Sequence, residues 1–180
     1  MRLEMLRNTV HYARARAGEP LDLVIWCNSP EALEAALDMA KDYADLTVLG
    51  TGENIGMHAA FNRGLDLVYA EDSPYEYLLR MDEDVEFLTQ RWLRKLIRVS
   101  KAVDDKCLVS PRIRGMPDVA QDMTEKINVN GVLVHFEKYN IPGLCRLHPV
   151  ALLKKYDYYA CLLYTSDAAD DNRVVWGGGG

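Results

Sequence analysis

Short apolar runs alternate with amphipathic stretches over residues 2–110, and this alternation limits the possible folds more than any other feature of the chain. Residues 2–15 carry Leu3, Leu6, Val10 and Ala13 at helical spacing. Gly18 and Pro20 end that helix. Leu21–Cys27 (LDLVIWC) is too short for a helix and apolar enough to be buried on both faces of a sheet. Ser29 followed by Pro30 is a helix start, with serine as N-cap and proline in the first turn. Leu33, Ala36, Leu37 and Ala40 form the stripe of that helix. Leu46–Leu49 predicts a second strand, and Met57–Ala70 a helix with Ala60, Gly64, Leu67 and Val68 on one side. Tyr75–Met81 predicts a third strand. Thr89 is read as the cap of a helix that turns Trp92, Leu93, Leu96, Ile97 and Val103 inward, and Cys107–Ser110 as a strand stopped by Pro111. The order predicts an α/β fold: a mostly parallel open sheet, helices on both faces, right-handed crossovers. Residues 112–130 read as polar and irregular. Gly131–Phe136 and Leu144–Leu147 are further strand candidates, and Pro149–Tyr156 a short helix.

The third strand runs into Asp82-Glu83-Asp84. While the chain stays extended, this spacing puts Asp82 and Asp84 on one face and Glu83 on the other. Open α/β sheets bind ligands beyond the carboxyl ends of their strands. Paired carboxylate oxygens there suit a hard divalent cation, Mg²⁺ or Mn²⁺, which commonly also binds substrate phosphates. The plain structural alternative is that the two aspartates cap the next helix or sit in a solvated turn.

Upstream, Gly50, Gly52, Asn54 and Gly56 lead into the helix at Met57. Asn54 is placed to cap that helix or to offer its amide to a ligand, and Gly56 lets backbone approach closely. Helix N-termini attract anions. His58, a lone histidine near the helix start, and Arg63 read more simply as structural or solvated groups.

The formal net charge of −6 argues against a non-specific nucleic-acid surface. No apolar run approaches 18 residues, so no membrane span is expected. The first helix is basic and amphipathic, which leaves peripheral contact with the inner membrane face open. Cysteines at 27, 107, 145 and 161 show neither C-x-x-C nor zinc spacing, which points to a reducing, cytoplasmic setting.

Taken in order, Asn54-x-Gly56, then Ala60, Asn62 and Gly64, then a buried strand into Asp82-Glu83-Asp84-Val85, then Trp92-Leu93, resembles a family 2 glycosyltransferase of the GT-A fold. Leu21–Pro30 is similar to that family's second strand and following loop. Val109-Ser-Pro111 and Gly143–His148 resemble the later strand that closes over the sugar site. The resemblance covers nearly all of residues 2–160 and implies metal-dependent, inverting transfer of a sugar from a nucleotide diphosphate sugar to an unknown acceptor (saccharide, lipid or protein). It implies Asp84 as chief ligand of Mn²⁺ or Mg²⁺, with Asp82 on the ribose or a metal-bound water and Glu83 beside them. It implies Asn54, Gly56 and Asn62 as the walls of the nucleotide-sugar pocket. An inverting enzyme needs a carboxylate to deprotonate the acceptor hydroxyl. Asp157 sits where the family often has a Gly-Phe-Asp stretch, though a structural role suits it better. The family's arginine before Asn62 is Phe61 here, which removes a cation able to meet phosphate; Arg63 is one substitute.

The chain opens on a helix where such sheets normally open on a strand, so its start is expected to be clipped. Residues 161–180 (CLLYTSDAADDNRVVWGGGG) resemble a translated sequencing adapter followed by a poly-glycine artefact. The expected organisation is a partial domain over residues 1–160 and a non-native tail over 161–180, with weak or no activity in this fragment. Two other readings compete. One is a non-catalytic α/β binding or vestigial module. The other is a haloacid-dehalogenase-like phosphatase, with a strand-end Asp as nucleophile; that family places its Asp pair on the first strand, unlike this chain.

Overall fold

A computed structural model describes residues 2–112, 114, 125–129, 131–136 and 144–156. Asp157 and residues 161–180 lie outside the described residues. The elements run α1 (Arg2–Arg16), β1 (Leu23–Trp26), α2 (Pro30–Met39), β2 (Leu46–Leu49), α3 (Met57–Tyr69), β3 (Tyr77–Met81), α4 (Trp92–Ala102), β4 (Glu125–Val129), β5 (Val132–Phe136), β6 (Cys145–Pro149) and α5 (Val150–Lys155).

The class is α/β, and the strands pair two by two. β1 and β2 are parallel, joined by the α2 crossover. β3 pairs antiparallel with β6, and β4 pairs antiparallel with β5. Parallel pairing among the described residues is therefore confined to β1–β2. The partner of β3 arrives more than 60 residues later and runs the other way. Residues 107–110 form no strand of their own; Val109 bridges to Leu147 of β6 and exchanges backbone hydrogen bonds with it, Val109 N to Leu147 O at 3.1 Å and Leu147 N to Val109 O at 2.8 Å.

Among the described residues three apolar clusters hold the elements together. Ala13 and Ala17 of the α1 segment, Phe87, Trp92, Leu93, Leu96, Val99, Cys145 and Leu147 form one. Leu6 and Val10 of α1 join Leu23, Cys27, Ala36, Met39 and Leu46 in a second. Leu65 and Val68 of α3 meet Val150 and Leu153 of α5 in the third. α1 thus crosses from one cluster to the next. Full burial of a side chain such as Leu147 contributes about 2 kcal/mol by transfer from water. Leu3, Leu37 and Leu67, expected on inward stripes, are exposed; Thr9, Met39 and Leu65 take the inward positions instead.

The start of α2 follows its local sequence: the Ala32 amide donates to Ser29 Oγ at 3.2 Å, and Pro30 is the first helical residue. The start of α4 does not. Arg91, not Thr89, is its N-cap, at φ 57°, and among the described residues no side chain caps it. The backbone carbonyl of Ala17 instead accepts from Leu93 N at 3.2 Å and Arg94 N at 3.4 Å. The chain leaving α1 thereby satisfies amides that every helix start leaves unpaired.

Candidate functional site

Alternation along β3 separates its two faces. Tyr77, Leu79 and Met81 pack into the cluster with α4, while Leu78 packs towards α3 and α5. Arg80 shares the parity of Leu78. On β6, Arg146 stands directly opposite Arg80 and His148 opposite Leu78. His148 contacts Phe61 of α3, ring centroids 5.5 Å apart. The α3-facing side of this antiparallel pair therefore carries Arg80, Arg146 and His148, beside the acidic strand end.

β3 stops at Met81. The Asp82 amide still donates to Leu144 O at 3.0 Å, and the chain then turns through Glu83 and Asp84. The alternation assumed for an extended Asp82–Asp84 segment thus does not continue past Met81. The cause lies in α1. Buried Thr9 donates its hydroxyl to Glu83 O at 2.8 Å, and Arg16 donates to Phe87 O at 2.5 Å. Trp92 Nε1 donates to Ala13 O at 3.0 Å, and the Trp92 ring stacks on Phe87, centroids 3.8 Å apart. These contacts bend the acidic segment against α1 and hold it there.

Asp82 is half-buried, and its carboxylate accepts from Arg80 Nη2 at 3.1 Å. Burial pushes its pKa upward; Arg80 opposes that, and the charges of Asp84 and Glu83 add to it. Asp84 and Glu83 have exposed side chains in the turn. The influence of Asp84 on Asp82 means that the two carboxylates remain electrostatic neighbours although the strand has ended.

The glycine loop reaches the same place. The Gly56 amide donates to Asn54 Oδ1 at 2.9 Å, an Asx turn, so Asn54 shapes the loop with its own side chain. Gly56 is the N-cap of α3 at φ 81°, in the region that favours glycine, and its carbonyl accepts the first helical bond, from Ala60 N at 3.1 Å. Met57, the first residue of α3, touches Arg80 through its sulfur. The start of α3, Arg80 and Asp82 therefore form one contiguous patch, with the Asp84 turn at its edge. Asn62 is half-buried on α3, one residue step beyond Phe61. Arg63, a substitute for the missing arginine, is exposed and pairs with Asp66 at 3.5 Å; the cation bonded to Asp82 is Arg80. Asp157 lies outside the described residues.

Sequence reasoning gave no role to Thr9 or Arg80, and reached Arg146 and His148 only as part of the Gly143–His148 segment. Arg80 was open to discovery, because i and i+2 spacing puts it on the face of Asp82. The others depend on which strand and helix come alongside.

The α/β scaffold, with an acidic strand end beside a glycine-led helix start, fits a domain of the GT-A type. The family profile of glycosyl transferase family 2 matches residues 1–157, and the chain belongs to that family. No curated protein and no solved structure matches it. Members of the family transfer glycosyl groups from nucleotide sugars, generally with a divalent metal. Among the described residues no helix is long and apolar enough to cross a membrane.

Proposed function

We propose that this chain binds a nucleotide diphosphate sugar between the start of α3 and the acidic end of β3, and transfers the sugar to an acceptor hydroxyl with inversion, aided by Mn²⁺ or Mg²⁺. The observation that carries the reading is the contiguity of Met57, Arg80 and Asp82, with the Asp84 turn alongside.

The residues present fit a divalent cation. Asp82 and Asp84 offer carboxylate oxygens, the donors that hard cations take. Burial and its acidic neighbours strain the ionised form of Asp82, and a cation relieves that strain. Divalent cations at nucleotide sites commonly also take substrate phosphate oxygens and water. A bound divalent cation supplies Lewis-acid neutralisation of the departing diphosphate. Asp84 and Asp82 hold it. Thr9 and Arg16 keep the turn that presents Asp84 in place. The first amides of α3, without intrahelical partners, face the developing phosphate charge, and Gly56 allows close approach. Asn54 shapes the loop beside the nucleotide, with Asn62 and Glu83 at the rim. The acceptor proton goes to a carboxylate base; Asp157 is the sequence candidate, and transfer by this chain is expected to be weak. The setting is cytoplasmic, with peripheral contact at the inner membrane face as an option.

Donor binding tests the reading without requiring turnover. Calorimetric titration with a panel of nucleoside diphosphates is expected to give binding to one of them in Mn²⁺ and much weaker binding in EDTA. Asp84→Asn is expected to lower the Mn²⁺-dependent affinity about tenfold or more, through lost charge-assisted contacts, with the fold intact. No binding by the wild type, or equal binding by the variant, contradicts it.

A further inference from the structure

α4 presents one kind of side chain to solvent. Trp92, Leu93, Leu96, Val99 and Ser100 are buried, and the exposed residues of the helix are Arg94, Lys95, Arg98 and Lys101. Arg91, its N-cap, is exposed beside them. At about 100° per residue, the four cations within the helix fall in an arc of roughly 120° and span about 10 Å of its axis. The helix contains no acidic residue. Glu19 pairs with Arg94 at 2.5 Å and Glu76 with Lys101 at 3.5 Å, pairs open to solvent and correspondingly weak. The acids after the helix are turned elsewhere: Asp104 pairs with Lys106, and Asp105 accepts from Tyr77 and Ser100. Arg91, Lys95 and Arg98 make no ion pair among the described residues. Acidic groups outnumber basic ones 27 to 21 in this chain, so the stripe is a local field opposed to the overall charge. α1, the other basic helix, spends its cations within the protein. Arg7 pairs with Asp38 at 2.8 Å, Arg14 with Asp45, and Arg16 with Glu86 at 3.8 Å.

We propose that the Arg91–Lys101 stripe of α4 docks this domain on an anionic lipid surface, and that α1, despite its basic sequence, does not. Charge complementarity selects the occupant. A layer of anionic headgroups offers acceptors to all five cations at once, and their long stems let the charged heads reach it. The groove beside the stripe, lined by Glu19, Arg94, Ile97, Arg98, Lys101 and Ala102, sets the apolar groups of Ile97 and Ala102 among three cations. That combination suits a molecule that is apolar and anionic together. Leu88, three residues before Arg91 and 54% exposed, adds apolar surface at the entry to the helix. The net negative charge of the chain does not prevent docking, because at physiological salt charges more than about 8 Å from the surface are largely screened.

Vesicle flotation of the full chain tests this, with phosphatidylcholine alone and with phosphatidylcholine containing about 30% phosphatidylglycerol. Wild type is compared with the double variant Lys95→Gln/Arg98→Gln and with Lys154→Gln/Lys155→Gln on α5, which removes the same charge from another exposed surface. Both double variants are expected to melt as wild type does, since the substituted side chains are exposed. Wild type is expected to float with the anionic vesicles alone and to be released in about 0.5 M KCl. The α4 variant is expected to bind anionic vesicles about 30-fold more weakly, from two lost surface cations, and the α5 variant much as wild type does. Equal binding of wild type to both vesicles, or an equal loss in the two variants, overturns the proposal. Binding to soluble poly-glutamate with no preference for anionic vesicles points to an acidic protein partner and overturns it too. Nucleotide takes no part in these measurements, so their failure leaves the proposed donor site untouched.

Discussion

His148 should withdraw stability from the domain as pH falls from 7 towards 4. Its ring is buried against Phe61 and faces the charges of Arg80 and Arg146, which hold its pKa down from 6.5 to about 4. As pH falls through 6.5 the unfolded chain takes up a proton at this residue, while the folded chain does not until about 4. Between those values the unfolded state binds more protons, so stability drops as pH drops. With those two pKa values, lowering the pH from 7 to 5 costs about 2 kcal/mol, and the loss levels off below about 4. Asp82 acts in the opposite sense, because burial raises its pKa. That contribution is shared by wild type and variant and cancels in their difference. His148→Leu removes the titrating ring and keeps an apolar filling beneath Phe61. Urea denaturation of both proteins at the two pH values measures the effect. The wild type should lose about 2 kcal/mol more than the variant over this interval. Parallel pH dependence in the two proteins refutes a buried, neutral His148.

Thr9→Val keeps the volume of a buried side chain and removes the hydroxyl that donates to Glu83 O. Urea unfolding should show a loss of about 1 kcal/mol, and Mn²⁺-dependent nucleotide affinity should fall as the Asp84 turn loosens. The glycines should divide by conformation. A Cβ at Gly50, at φ +96°, would lie 2.6 Å from Cys27 O, so Gly50→Ala should lower stability by roughly 1–3 kcal/mol or prevent folding. Gly64 lies mid-helix with nothing within 4 Å of an added Cβ, so Gly64→Ala should raise thermal stability by about 1 kcal/mol.

What was legible in the sequence follows from the range of each interaction. Ser29 and Pro30 announce α2 because the cap bond spans three residues. The apolar runs at Leu23–Trp26 and Leu46–Leu49 announce a parallel pair because a crossover helix lies between them. The cap of α4 was misplaced at Thr89 because its amides bond to Ala17, a partner supplied by tertiary packing. The strand expected at Cys107–Ser110 reduces to a bridge at Val109, since β6 already gives its other edge to β3. Asp82 and the Asn54–Gly56 loop were visible as motifs. The turn of Asp84 depends on Thr9, and the opposition of Arg80 to Arg146 on strands far apart in sequence; neither leaves a local signature.

The most direct test of the central claim is where a metal–nucleotide complex sits on this chain. With ¹⁵N-labelled protein and the preferred nucleoside diphosphate, Mn²⁺ should broaden the amide signals of residues 54–58, 80–85 and 144–147 before others, and Asp84→Asn should abolish that selectivity. Selective broadening elsewhere, or none above that of Mn²⁺ alone, contradicts a nucleotide-sugar site at the end of β3.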